Sequence, residues 1–450
     1  MSSAAPAFSW RSIILPAYLP TLVYSFGEGA LIPVIPVIAT ERGASLALAG
    51  LVAAMLMVGR LAADLPAGWL VARIGERTAM IGAAIVASLS MLIAVALPTV
   101  FALGVGVLVL GFADAVFGLA RHAFLTSYVP VRVRARALST LGGVHRGGWA
   151  IGPFVAAALL AWTGSAESVF WVVVAACAAV VVVLLFLPDP ERLFGVVAAR
   201  REASAAEIAA AGPAASEDSG VGEGGADAAK RAAAEQSSVF RAIREYGGVL
   251  ARIGTGVGML SASRASRAVI LPLWAVSIGM PPEQAALVIG ISGVIDFALF
   301  YTSGQIMDRW GRLWSAIPGL IGLAAGHVLL AFTHDLPNAD WWFAACAIIL
   351  AVANGVTSGI VMTLGADLAP KAHPAPFLGA FRMISDVGQA GSPLLIAALT
   401  SLVSIMAASA AVGVLGLVGA AMLWRWVPRY LPKVSGRRIR PASAEAPEER

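Results

Sequence analysis

Residues 304–312 read GQIMDRWGR and residues 68–77 read GWLVARIGER, so one spacing of glycine and arginine occurs twice, 236 positions apart. A second pair of segments repeats at an offset of 240, where Gly148, Gly152 and Pro153 correspond to Gly388, Ser392 and Pro393. A repeat that spans about half of the chain predicts two structurally similar halves, with a site at the interface between them.

The composition of the chain places it in a membrane. Of its 450 residues, 59% are apolar and 13% are charged, with a mean hydropathy of +0.84. A soluble domain usually carries about 25% charge, so a water-soluble fold is excluded as the main interpretation. Continuous apolar runs such as residues 172–187 indicate helices rather than barrel strands. We therefore predict an all-α polytopic protein with twelve spans, at residues 12–38, 46–70, 79–98, 101–122, 137–161, 168–188, 250–278, 285–306, 314–333, 342–366, 377–401 and 404–427.

The predicted spans form two sets of six, separated by a stretch rich in Ala, Gly, Glu and Ser. We expect a bundle at residues 1–188, a low-complexity linker at 189–245, a second bundle at 246–428 and a tail at 429–450. Arginines concentrate in the loops on the side of the linker, so the positive-inside rule predicts that the linker and both termini are cytoplasmic. The expected location is the cytoplasmic membrane of a bacterium.

The loop after the eighth span resembles the G-x-x-x-D-R-x-G-R-[KR] loop motif of the major facilitator superfamily. Its matching residues are Gly304, Asp308, Arg309, Gly311 and Arg312. The copy in the first half matches at Gly68, Arg73 and Gly75, with Ala72 in place of the acid and Glu76 in place of the last arginine. In that family the acid helps to lock the cytoplasmic side, so the resemblance implies a cytoplasmic gate here.

The fifth span contains Gly148, Gly152 and Pro153, which resemble the antiporter motif of the same family. The resemblance implies two six-helix bundles related by pseudo-two-fold symmetry around a central cavity. It further implies alternating access by rocking of the halves. Among members of the family, the chain resembles bacterial drug/proton antiporters.

Nine charged residues within the predicted spans are candidates for proton coupling or for lining the cavity, because a charge there costs about 2.5–3.5 kcal/mol on insertion scales and usually faces water or a partner. They are Glu28, Arg60, Asp64, Asp114, Arg146, Arg264, Arg267, Asp296 and Asp386. Glu28 is the foremost proton site, because Gly27 and Gly29 flank it and let backbone approach a ligand. A carboxylate shielded from water can take up a proton near neutral pH.

Superposing the two halves by the repeat pairs each acid with an arginine across the cavity. The predicted pairs are Glu28 with Arg267, Arg60 with Asp296, and Arg146 with Asp386. Such pairs would form as the cavity narrows and separate as it widens. The alternative is a structural ion pair within one half, such as Arg60 with Asp64 or Asp114. Arg121 is expected at the bilayer interface.

Trp149 and Trp274 are candidates for the aromatic wall of the cavity, and a position in the interfacial belt is the alternative. The sequence shows no Walker A lysine and no spacing typical of a metal cluster or a catalytic triad. We therefore expect no enzymatic activity, no cofactor or metal, and no nucleic-acid partner. The expected partners are a small-molecule substrate, protons and the lipid bilayer, with no obligate protein partner evident.

These features together predict a secondary active transporter. The leading version exports small amphipathic or drug-like molecules in exchange for protons, which the glycine–proline motif of the fifth span favours. The alternative is a proton- or ion-coupled importer of a small anionic nutrient, suggested by Arg146, Arg264 and Arg267. A further alternative is a non-transporting membrane sensor on the same fold.

Overall fold

The computed structural model describes residues 14–129, 131–186, 243–370 and 374–431. Within these ranges the chain forms twelve long helices. They are α1 (Ile14–Glu41), α2 (Leu46–Ile74), α3 (Glu76–Ala96), α4 (Val100–Tyr128), α5 (Val131–Thr163), α6 (Ser168–Phe186), α7 (residues 247–277), α8 (Pro282–Trp310), α9 (Arg312–Thr333), α10 (Ala339–Leu368), α11 (Pro374–Leu402) and α12 (Ile405–Tyr430). The predicted linker and tail lie outside the described residues, apart from 243–245 and 429–431.

Each predicted span falls largely within one of these helices, and the prediction of an all-α membrane fold is confirmed. Nine of the helices in the described part are long and apolar enough to cross a membrane. Several helices continue beyond the predicted spans. For example, α4 extends to Tyr128, whereas its predicted span stops at residue 122. The reason is that hydropathy marks the edge of the bilayer, while the backbone continues its hydrogen bonds into the polar zone.

The repeated loop motif ends one helix and begins the next in both halves. Gly75 lies between α2 and α3 with a φ of 83°, and Gly311 lies between α8 and α9 with a φ of 99°. Their amide groups donate to the carbonyl oxygens of Val71 and Met307 at 3.0 and 3.1 Å. Because side chains with a Cβ rarely adopt this conformation, the motif requires glycine at these two positions.

The second repeated motif brings two pairs of helices into close contact. A Cβ atom on Gly152 would lie 2.4 Å from the amide nitrogen of Ala30, so α5 packs directly against the backbone of α1. A Cβ atom on Gly388 would lie 2.2 Å from the carbonyl oxygen of Gly258, so α11 packs in the same way against α7. Small residues at such contacts allow membrane helices to approach closely.

The two halves meet along α5 with α8, α2 with α11, and α1 and α2 with α7. The end of the molecule where α1 begins and α6 ends is called the linker end. At the opposite end the halves are in contact, because a Cβ atom on Gly50 of α2 would lie 3.0 Å from the side chain of Leu273 on α7. Nearer the linker end, Asp64 on α2 and Arg382 on α11 are exposed. These polar side chains of the two halves are therefore accessible nearer the linker end.

Candidate functional site

Glu28 lies in the middle of α1 with 2% of its surface exposed, and both of its carboxylate oxygens have partners. Oε1 accepts a hydrogen bond from Nη2 of Arg60 on α2. Oε2 accepts a hydrogen bond from Nε1 of Trp149 on α5 at 2.9 Å. Nε of Arg60 lies 2.7 Å from Oδ2 of Asp114 on α4. These four side chains, from four helices of the first half, are called the Glu28 network.

Glycines explain why Trp149 reaches Glu28. A Cβ atom on Gly29 would lie 2.8 Å from Cα of Trp149, and one on Gly148 would lie 2.7 Å from a carbonyl oxygen of α1. These positions let α5 pack close enough to α1 for the indole to donate to a buried carboxylate. The guanidinium of Arg60 also lies over the indole ring, 5.4 Å from its centroid, a cation–π contact that helps to orient both groups.

Arg121 and His145 extend this network toward the linker end. Arg121 is buried among the helices of the first half, and its expected depth at the bilayer interface stays a prediction. Its Nη1 lies 3.3 Å from Nδ1 of His145, and the hydroxyl of Ser25 lies 2.5 Å from the same nitrogen. Because a guanidinium only donates, Nδ1 accepts and the imidazole is neutral in this arrangement.

A second group of charges lies where the halves meet. Oδ2 of Asp296 on α8 lies 3.6 Å from Nη1 of Arg146 on α5 and 3.7 Å from Nη1 of Arg267 on α7. Oδ1 of Asp296 accepts a hydrogen bond from Nδ2 of Asn354 on α10 at 2.8 Å. Arg264 donates from Nε to Oδ1 of Asn354 at 3.0 Å. These five side chains are called the arginine cluster.

The remaining two candidate acids lie nearer the linker end. Asp386 on α11 accepts from Nε of Arg382 at 3.3 Å and from Nε2 of Gln389 at 2.9 Å. Asp64 on α2 interacts electrostatically with Arg382 and with Asp386. Together with His122 of α4, which also interacts with Arg382, they form a group of polar side chains from three helices.

In this structure the intramembrane charges have partners other than the predicted ones, so the pairing expected as the cavity narrows stays a prediction. Glu28 pairs with Arg60 and not with Arg267. Asp296 pairs with Arg146 and Arg267 and not with Arg60. The physical reason is distance. Pseudo-symmetry places equivalent residues on opposite sides of the interface between the halves, whereas each of these charges has an opposite charge within 4 Å on another helix.

Asp386 likewise pairs here with Arg382 on its own helix and not with Arg146. The alternative of an ion pair within one half applies to Arg60 and Asp114. Arg146 with Asp296 is an ion pair that joins the halves. Sequence reasoning missed Asn354 and Arg382, although a single asparagine within the apolar run of α10 was a visible signal.

The two candidate tryptophans lie in different places. Trp149 belongs to the Glu28 network. Trp274 is 1% exposed and packs edge-on against His334, with ring centroids 5.1 Å apart, near the end opposite the linker. It therefore belongs to neither charged group in this structure.

The loop-motif residues lie at the linker end. Arg312 pairs with Asp367 of α10 at 2.8 Å and with Asp308 at 3.4 Å. Asp308 is 83% exposed at its side chain, and Arg309 lies over the ring of Trp310. A gating role for Gly68, Arg73, Gly75, Gly304, Asp308, Arg309, Gly311 and Arg312 stays a prediction. Within the described residues, no group of three or more His, Cys, Asp or Glu side chains is placed to hold a metal ion.

The arrangement of two six-helix halves around buried charges agrees with a comparison of the sequence with protein families. The model described as "Major Facilitator Superfamily" matches residues 18–245 and 253–446. The chain belongs to the major facilitator superfamily. It is therefore a secondary transporter of this superfamily, which confirms the coarser part of the functional prediction. Curated protein sequences give no significant match.

Solved structures of this superfamily's fold are similar over nearly the whole chain. A D-xylose–proton symporter aligns with a TM-score of 0.68 and 17% identity, covering 94% of this chain and 99% of that one. A POT family transporter bound to a thioalcohol-conjugated peptide aligns with a TM-score of 0.68 and 12% identity, covering 94% of this chain and 97% of that one. The xylose transporter XylE from E. coli aligns with a TM-score of 0.66 and 15% identity, covering 95% of this chain and 99% of that one. At these identities the similarity establishes the fold alone.

Proposed function

We propose that the protein is a proton-coupled transporter in which Glu28 takes up and releases the proton. The observation that carries this proposal is the Glu28 network, where a buried carboxylate shares one arginine with a second carboxylate, Asp114. Protonation of Glu28 removes its charge and leaves Arg60 to Asp114 alone. The network therefore has two arrangements whose relative stability depends on proton binding, which is what coupling requires.

The test is transport by the purified protein in liposomes that contain a pH-sensitive dye, with a panel of small amphipathic and anionic compounds outside. We expect Glu28→Gln to abolish accumulation driven by a pH gradient while exchange down a concentration gradient persists, because the amide resembles the protonated acid. Glu167→Gln is the matched control, since Glu167 pairs with Arg42 at the end opposite the linker. Gradient-driven accumulation by Glu28→Gln at the wild-type level would refute the proposal.

For direction and cargo, the leading candidate is export of a small amphipathic or drug-like molecule in exchange for protons. It is supported by the resemblance of Gly148, Gly152 and Pro153 to an antiporter motif. The second candidate is uptake of a small anionic nutrient, supported by the excess of arginine over carboxylate in the arginine cluster. Drug sensitivity of a deletion strain would favour export, and loss of growth on single nutrients would favour uptake.

The proposed orientation has the linker end and both termini in the cytoplasm, in agreement with the arginine-rich loops at that end. Protease or thiol accessibility of single-cysteine variants in intact cells tests it. A protein that produces no flux with any compound and no phenotype on deletion would support a membrane sensor instead.

A further inference from the structure

The arginine cluster contains more positive charge than its own carboxylate neutralises. Arg146, Arg264 and Arg267 converge from α5 and α7, and within the described part of the chain Asp296 is the one carboxylate at ion-pair distance from any of them. Uncompensated buried charge is costly in a membrane protein and is retained where it serves a ligand or an ion.

The contacts of Asp296 leave donors of these arginines unused. Its Oδ2 lies 3.6 and 3.7 Å from the two nearest guanidinium nitrogens, which is beyond hydrogen-bond distance. Its Oδ1 already accepts from Asn354. Nε of Arg267 is buried and has no hydrogen-bond partner among the described residues. A buried donor without an acceptor lowers stability, and an additional acceptor at this place would remove that cost.

Part of the arginine cluster is accessible. The side chains of Arg146 and Asp296 keep 24% and 18% of their surface exposed. The ring of Phe300 lies 4.7 Å from the Arg146 guanidinium and provides an apolar wall beside the charge. Recognition sites for small molecules typically combine an apolar surface with a few such polar groups.

We propose that the arginine cluster binds the carboxylate of a small organic anion with an apolar body, and that Asp296 is an internal competitor which this carboxylate displaces. Asp296 shows that a carboxylate fits between Arg146 and Arg267. A free carboxylate, unlike one fixed to α8, can approach both guanidinium groups closely and also reach Nε of Arg267.

Displacement has a consequence for the halves, since Arg146 belongs to the first half and Asp296 to the second. When the ligand takes the place of Asp296 on Arg146, one ion pair between the halves is lost. The proposal rests on the proposed function in that the cavity carries a cargo, but the binding step requires no proton gradient.

The test uses three probes of similar shape and different charge, namely benzoate, benzamide and benzamidine, titrated against the purified full-length protein by calorimetry. We expect benzoate to bind about ten-fold or more tightly than benzamide, and benzamidine not to bind. We expect Arg267→Gln and Arg146→Gln each to weaken benzoate binding by about ten-fold or more. Asp296→Asn should tighten it by a similar factor, because the internal competitor is removed.

The control is Arg42→Gln, which removes a buried, paired arginine outside the cluster and should leave benzoate affinity unchanged. Misfolding cannot imitate the gain in affinity expected for Asp296→Asn. Equal binding of benzoate and benzamide, tighter binding of benzamidine, or no benzoate binding even in Asp296→Asn would overturn the proposal. None of these results depends on Glu28, so failure of the proton-coupling proposal would appear separately, in the liposome assay of Glu28→Gln.

Discussion

Replacing Arg60 with methionine tests directly whether the Glu28 network responds to protons. Arg60 contacts Glu28 through Nη2 and Asp114 through Nε. The methionine side chain keeps much of the volume and removes the charge. Without the guanidinium, the two carboxylates repel each other, and among the described residues Arg121 is the cation that still acts on Glu28. Glu28 should then hold its proton to higher pH, because the loss of a positive neighbour favours the neutral acid.

The expected change in the protonation midpoint of Glu28 follows from its direct contact with Arg60. An opposite charge within about 4–6 Å changes the proton affinity of a carboxylate by roughly one to three pH units. Arg60 is in direct contact with Glu28 and is half-buried, so we expect the midpoint of Glu28 protonation to rise by about one to three units. The repulsion from Asp114 adds in the same direction.

The assay is an infrared pH titration of the protonated-carboxyl band of the purified protein, which requires no knowledge of the cargo. The band that belongs to Glu28 is the one lost in Glu28→Gln. Arg42→Met is the control, because it removes a buried arginine that pairs with Glu167 instead. A midpoint that stays the same or falls in Arg60→Met would refute the reasoning, as would an equal rise in Arg42→Met.

Two further variants test the contacts of the repeated motifs. Gly152→Ala places a Cβ atom within 2.5 Å of the α1 backbone, so the free energy of unfolding should fall by about 1–3 kcal/mol; thermal unfolding measures this. Gly143 lies on the same helix, and a Cβ atom added there has no atom within 4 Å. Gly143→Ala should therefore change the free energy of unfolding little, and an equal loss of stability in both variants would contradict the packing account. Arg312→Gln should reduce flux at matched expression more than Asp308→Asn does, because Arg312 binds Asp367 of α10 while Asp308 is largely exposed. A larger loss of flux in Asp308→Asn than in Arg312→Gln would show that Asp308 contributes more to closing the linker end.

The sequence was sufficient for the fold because the signals for it are local. A run of about 20 apolar residues indicates a span wherever it occurs, and the repeated glycine motifs located equivalent helix ends and helix contacts. The loop motif placed a break between helices, and Gly75 and Gly311, both with a positive φ, lie at that break in the structure. The helix ends toward water were placed less well, because no property of the apolar run marks where a helix stops beyond the bilayer.

The sequence located the charged residues of the site but not their partners. A charge inside an apolar run is visible by itself, and all nine candidates lie on helices that reach the interior or the cavity. A partner depends on which helices pack together and on the rotation of each, which the repeat does not specify. Arg60 lies on α2, which packs along α4, and its guanidinium reaches both Asp114 of α4 and Glu28 of α1. The equivalent position in the second half, Asp296, faces α5 and α7 instead.

The fifth helix physically connects the two charged groups. His145 and Trp149 are four residues apart, so they lie on one face of α5, toward α1. Arg146 directly follows His145 in the sequence and points to α8, where it pairs with Asp296. Since Gly148 and Gly152 fix α5 against the α1 backbone, a shift of α5 relative to α8 moves Arg146 away from Asp296 and leaves Trp149 on Glu28. A shift relative to α1 has the opposite effect. The packing of one helix therefore determines whether the ion pair between the halves and the hydrogen bond to the buried carboxylate persist together or separately.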